Sequence, residues 1–146
     1  MAVGCVIAQE NLAPFKKAAN AYAGSRITDE HLKRKIYIDS KMDFSDISSG
    51  FIENFHLLSP FGVGNPKPIF MTEKAEIVRE PQKIKGKHAK LLVRQKGRIF
   101  EALGWDRGEL VQSIRKGDKI DLAYSFQFSQ YMGEEKLSLS LEDIKT

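Results

Sequence analysis

Cys5 is the only cysteine among 146 residues, so no internal disulfide can form and a cysteine-based zinc site has too few ligands. Its ordinary role is that of a small buried hydrophobe. No run of about 18 apolar residues exists to span a bilayer, and the opening Met-Ala-Val-Gly-Cys-Val-Ile-Ala lacks the charged leader and long apolar stretch of a signal peptide. The expectation is a soluble, cytoplasmic chain with no membrane partner. Histidine is scarce too. His31, His56 and His88 fall in separate predicted elements, so no positioned acid, base, nucleophile or metal site emerges. The chain itself is expected to be non-catalytic and to hold no cofactor.

What is present suffices for one sizeable core, or one core plus a helical appendage, at 42% hydrophobic and 10% aromatic content. The net charge of +4 is unevenly placed. From Arg79 to Arg98 eight basic residues stand against Glu80 alone, a local charge of +7 in twenty residues. Such a focus favours a polyanionic partner, because the summed field attracts phosphates and releases their counterions. The alternative is a solvated strand face.

Helical spacing marks the first sixty residues. Asn11 can cap a helix to about Ala23 that carries Leu12, Phe15, Ala19 and Tyr22, with Gly24 as its stop. Thr28 with Asp29 and Glu30 predicts a second, shorter helix, and explains Asp29-Glu30-His31 more readily than a metal site does. Ile36, Tyr37 and Ile38 read as a brief strand. Asp43 opens a third predicted helix whose stripe of Phe44, Ile47, Phe51, Phe55 and Leu58 suits a core, although the Phe51 and Phe55 part could be exposed or dimerise. Three prolines and two glycines then fall between Ser59 and Pro68, where no helix can continue. Gly62 and Gly64 are expected to shape that turn rather than cradle a phosphate, since no Lys-Ser/Thr pair follows and no strand precedes.

Beyond Pro68 the period changes to two. Candidate strands run over Ile69–Arg79, Lys87–Gln95 and Arg98–Trp105, with Lys96-Gly97 as a tight turn. Ala89, Leu91 and Val93 share one face of the second, and His88, Lys90, Leu92 and Arg94 the other. Asp106 and Glu109 have the spacing of a capping box for a short helix ended by Gly117. Ile120, Leu122, Tyr124, Phe126 and Phe128 alternate in a fourth strand, and Met132-Gly133-Glu134 turns it into a fifth with Leu137, Leu139 and Leu141. Three strands, a helix and two strands is the order of an OB-fold, a five-stranded Greek-key barrel; a small sandwich is the rival. The fold class is therefore α+β, a helical segment followed by a five-stranded OB-fold barrel.

The stretch Pro60-Phe61-Gly62-Val63-Gly64-Asn65-Pro66-Lys67-Pro68-Ile69-Phe70 resembles the signature that joins the catalytic core of RecJ nucleases to their OB-fold domain. Gly86-Lys87-His88-Ala89-Lys90-Leu91 and Phe100-Glu101-Ala102-Leu103-Gly104-Trp105 resemble the second and third strands of that domain. Met1-Ala2-Val3-Gly4 and the Asn11 helix are similar to the tail of the DHH-associated domain. The resemblance implies residues 1–59 as that helical tail and connector, 60–68 as a Pro/Gly-rich hinge and 69–146 as the OB-fold domain. It also implies a parent enzyme that degrades single-stranded DNA from 5′ to 3′ with manganese or magnesium, in repair and recombination. No Asp-His-His motif or aspartate cluster is present, so the expectation is a piece of such an exonuclease, with Met1 internal to a longer gene and the catalytic domain of the same chain as a partner.

OB barrels commonly hold single strands across their second and third strands, joining a cationic track to flat side chains for base stacking. His88, Lys90 and Arg94, with Lys83, Lys85 and Lys87 before them and Arg98 after, are the candidate track. Trp105, Tyr131 and Tyr37 are the candidate platforms; Trp105 is as readily packed as exposed, and Tyr131 at the hairpin tip is the stronger. A single strand of DNA is the expected partner. The alternative function is a docking module for single-strand-binding protein or another repair factor with an acidic tail.

Overall fold

The period-two alternation after Pro68 becomes a closed barrel. In the computed structural model, which describes residues 4–33, 35–131 and 133–146 and only the backbone of Tyr131 and Glu134, the strands are β1 (Ser40–Lys41), β2 (Phe70–Ile77), β3 (Gln82–Ile84), β4 (His88–Gln95), β5 (Arg98–Gly104), β6 (Lys119–Tyr131) and β7 (Glu134–Lys145). β2 pairs antiparallel with β6, β6 with β7, β5 with β4 and β4 with β2, while β5 and β7 run parallel. That circuit of five strands is the OB-fold closure, and it excludes the sandwich. β1 and β3 are short additions at the margins.

Closure needs β2 to bend from one neighbour to the other. Its register against β6 shifts between Thr72 and Ala75, where Lys74 takes φ 55° and donates its backbone N–H to Asp121 Oδ1 at 2.9 Å. A bulge of this kind increases local twist and re-aims the strand. Inside lie Ile77, Leu91, Val93, Leu122, Tyr124, Phe126 and Leu139, all buried. Tyr124 keeps a partner for its hydroxyl in Thr72 Oγ1 at 2.9 Å, and burial pushes its pKa up to about 12. The helix α4 (Leu110–Ser113) leads into Ile114, which is fully buried. Its N-cap is Glu109 without a side-chain bond, and Asp106 takes φ 54° in the preceding turn, so the expected capping box does not form.

The segment from Ile36 onward forms one compact unit with the barrel. Residues 36–38 are not a strand; pairing starts at Ser40, where Asp39 ties to Ile69 through both backbone and carboxylate. The expected third helix is two pieces. Asp43 and Asp46 cap a 3-10 turn over Phe44–Asp46, and Ser48 Oγ, accepting from Phe51 N at 3.1 Å, starts α3 (Ser49–His56) anew. The break lets both pieces bury their apolar side chains: Phe44 and Ile47 are fully covered, and Phe55 packs 5.1 Å from Phe126 and 6.1 Å from Phe70. Burying such a ring contributes about 1.5–3 kcal/mol.

The first unit, through Lys35, consists of α1 (Leu12–Arg26) and α2 (Asp29–Leu32). α1 runs two residues past Gly24, and Asn11 precedes it without a side-chain capping bond. Thr28 does cap α2, with His31 Nδ1 completing a capping box. No residue of α1 is buried. Cys5 is exposed rather than packed as a small hydrophobe, because it precedes α1 in an open segment of this unit. Met1 to Val3 and Met132, which carried part of the family resemblance and the last hairpin turn, lie outside the described residues. Among those described, no helix is long and apolar enough to cross a membrane.

Between α3 and β2 the turn is organised by Asn65 rather than by its glycines. The Asn65 amide donates to the carbonyls of Leu58 at 2.7 Å and Pro60 at 3.1 Å, while its backbone exchanges two hydrogen bonds with Gly62. Neither Gly62 nor Gly64 adopts a positive φ, and both have open space where a Cβ would stand. Asn65→Ala is therefore expected to cost about 1–3 kcal/mol through the two lost side-chain bonds. Gly62→Ala should change stability by less than about 0.5 kcal/mol. Chemical unfolding of both variants checks the contrast.

Candidate nucleic-acid interface

The site is built on the outward face of β4 and β5. Seven consecutive pairs join these strands, from Ala89↔Gly104 to Gln95↔Arg98. The Lys96-Gly97 turn fixes that register, with φ of 46° and 76° at its two residues, the positive values that two-residue hairpin turns require. Cross-strand partners share a face, so Lys90, Leu92 and Arg94 look outward with Leu103, Glu101 and Ile99. Val93, Leu91 and Ala89 look inward.

At one end of this face a groove of about 260 Å³ is lined by Ile84, Lys85, His88, Lys90, Glu101, Leu103 and Trp105. Trp105 is 51% exposed. Its indole N–H donates to Gln127 Oε1 at 3.3 Å, and His88 meets its ring edge-on at 4.9 Å between centroids. His88 Nδ1 in turn accepts the Asp106 N–H at 3.0 Å. The tryptophan is thus held from two sides with one side open, which is what a stacking platform needs.

Several cations that the local sequence leaves unopposed have acidic partners from distant segments. Lys87 pairs with Asp106 at 3.4 Å, Lys90 with Glu101 at 2.5 Å, Arg94 with Glu76 at 3.0 Å and Lys96 with Asp43 at 2.5 Å. Half of the eight basic residues between Arg79 and Arg98 are matched in this way. Arg79, Lys83 and Lys85 have no such partner among the described residues, but Lys83 pairs with inward-facing Ala89 and lies over Gly108, so it sits on the face of β3 away from the groove that Ile84 and Lys85 line. Arg98 lies on the inward side of β5 at the barrel's end and donates to the Ile47 carbonyl at 3.1 Å. Arg94 stands four residues, about 13 Å, up the strand from Lys90. The groove therefore gathers Lys85, His88, Lys90 and Trp105, with Lys87 beside them through Asp106; Arg94 and Arg98 belong to the other end. Tyr37 is 81% exposed in the segment before β1, and the side chain of Tyr131 is outside the described set.

Three participants had no signal in the basic run. Glu101 is 16% exposed and takes both Lys90 and, at 3.5 Å, Lys136 of β7. Burial pushes its pKa up, but the hydrogen bond from Lys90 and the charge of Lys136 outweigh it and hold the carboxyl below its ordinary value. Lys136 could have been found by the alternation of β7, where it shares parity with Ser138 and Ser140 against Leu137 and Leu139. Gly108 could not have been: a Cβ there would sit 2.8 Å from Lys83 Cε and 2.9 Å from the Lys87 carbonyl carbon, beneath the bond from Gly108 N–H to Lys87 O at 2.8 Å. Among the described residues, no group of three or more His, Cys, Asp or Glu could hold a metal ion.

The family profile of the RecJ OB domain matches residues 38–143. The chain belongs to the RecJ OB domain family. It is 26% identical over 145 residues to the single-stranded-DNA-specific exonuclease RecJ of Bacillus subtilis (strain 168), covering 98% of this chain and 18% of that protein. It is 22% identical over 147 residues to the exonuclease of the same name from Haemophilus influenzae, covering 99% of this chain and 26% of that one. RecJ from Thermus thermophilus, solved in complex with Mn2+, shares the fold with a TM-score of 0.71 at 20% identity, over 97% of this chain and 20% of that one. The chain spans between 18% and 26% of the length of these relatives.

Two outcomes follow from the packing. Gly108→Ala forces the Lys87 backbone away and should cost about 1–3 kcal/mol, visible in the melting temperature. Because Glu101 has a folded pKa below its ordinary 4.5, its pairing stabilises the fold fully above that pH and is lost as pH falls through the folded value. Glu101→Gln should therefore flatten the acid limb of stability against pH below 4.5.

Proposed function

We propose that this chain is the single-stranded-DNA-holding barrel of a RecJ-like 5′ to 3′ exonuclease of DNA repair and recombination, whose manganese- or magnesium-dependent catalytic half is a separate part of the enzyme. The observation that carries the reading is the groove in which Trp105, half exposed and held at its edges, stands beside Lys85 on the outer face of β4 and β5. A base stacks on the indole while Lys85 and Lys87 meet the phosphates. Such contacts use base faces and backbone, so binding is independent of sequence. The ion pairs of Lys87 and Arg94 do not oppose this. Exposed pairs are worth about 0–1 kcal/mol, and a phosphate oxygen can replace a carboxylate as the lysine's partner. The family membership and the similarity to two single-stranded-DNA-specific exonucleases support the same reading.

Trp105 is the only tryptophan, so its fluorescence reports the site directly. A short oligothymidylate should quench it, and Trp105→Ala should weaken binding by about 1–3 kcal/mol, the range for one stacked base. Replacing Lys85 and Lys87 with alanine should flatten the logarithmic salt dependence by about 1.4, at about 0.7 per single-strand contact. Replacing Lys16 and Lys17 in the helical unit removes the same charge and should change the slope much less. Equal losses in both double variants would mean diffuse attraction to a basic protein. Unchanged fluorescence, together with binding of an acidic peptide, would favour a protein-docking face.

A further inference from the structure

Among the described residues, Glu101 is the one carboxylate that lines the Trp105 groove, and two cations converge on it from different strands. Lys90 of β4 reaches Oε2 at 2.5 Å and Lys136 of β7 reaches the same oxygen at 3.5 Å. The carboxylate is mostly covered, whereas Lys136 is half exposed. Two ammonium groups on one anionic oxygen is also how a protein surface receives a phosphate. The cations most central to the face are thus already occupied when no strand is bound.

Resting on the reading of this face as the DNA track, we propose that Glu101 is an internal competitor of the strand's phosphates, occupying Lys90 and Lys136 and so setting how tightly the barrel holds single-stranded DNA. An arriving strand either displaces the carboxylate, leaving a buried negative charge near its own phosphates, or binds without both lysines. Affinity is lowered in each case. Loose contacts that exchange partners suit a polymer that must move along the face rather than rest on it. A carboxylate that merely aimed the lysines outward would have the opposite effect on binding when removed, so the sign of the effect separates the two roles.

The test uses the whole chain with a fluorescein-labelled oligothymidylate, titrated across a range of salt, with thermal melts to show that each variant is folded. Glu101→Gln, nearly the same size, should bind several-fold tighter at low salt and steepen the logarithmic salt dependence by about 0.7–1.4, one or two added phosphate contacts. Glu101→Asp keeps the charge but shortens its reach by one methylene, so it should shift affinity the same way by less. Adding Lys90→Gln and Lys136→Gln to Glu101→Gln should abolish the gain. Equal or weaker binding by folded Glu101→Gln, while the Lys85 and Lys87 variant still flattens the slope, overturns the proposal and leaves the DNA track standing. If neither the native chain nor any Glu101 variant binds the oligonucleotide, the proposal and the DNA reading fall together.

Discussion

The register between β4 and β5 is the constraint on which the rest of the molecule depends. Side chains alternate with a period of two, so a slip of one residue would drive His88, Lys90 and Arg94 into the barrel and expose Leu91 and Val93. Burial of the inward set makes that slip costly, and the left-handed pair Lys96-Gly97 makes it geometrically awkward. The same register sets Glu101 diagonally from Lys90, places Ala102 to pair with Leu139 of β7, and ends β5 so that Trp105 emerges beside His88. Core and outer face are two sides of one pairing.

What was legible in the sequence was whatever lies within one strand. The alternation of β4 and β6, the tight turn at Lys96-Gly97 and the order of strands are all local patterns, and the barrel follows from them with few alternatives. Charge was not legible in the same way. Counting residues from Arg79 to Arg98 finds one acid, yet Glu76, Glu101, Asp106 and Asp43 reach the basic strands from neighbouring strands, a turn and the residue that caps the 3-10 segment. A linear window measures composition, whereas the field at a strand depends on which other strands lie beside it. Arg98 was misleading for a related reason: it belongs to the basic run by position but faces inward by parity, and it satisfies the Ile47 carbonyl.

The connector shows a second limit. The apolar stripe from Phe44 to Leu58 has helical spacing, so periodicity alone predicts one helix. Packing divides it, because Phe44 must meet Phe100 and Tyr124 while Phe55 must meet Phe126 and Phe70. Those targets are spread over three strands, and a continuous helix would have to present both sets of rings from one stripe. The break at Ile47–Ser48 resolves the conflict, with Ser48 starting the second piece. The glycines of the following turn looked important because glycine is permissive, yet neither uses that freedom; the amide of Asn65 supplies the two hydrogen bonds that hold the turn.

If the outer face of β4 and β5 is the DNA track proposed above, its matching of lysines with carboxylates is a compromise between two states of the same surface. An unpaired cluster of cations repels itself in the free protein and binds any anion that passes. A matched cluster is quiet until a ligand offers several phosphates at once, because only then does the multiple exchange of partners release enough counterions to compensate. The open flank of Trp105 adds a term that free phosphate cannot supply, since stacking needs a base. On that reading, discrimination for a nucleic-acid strand over small anions follows from the joint requirement of charge and aromatic surface. Neither the lysines nor the indole would provide it alone.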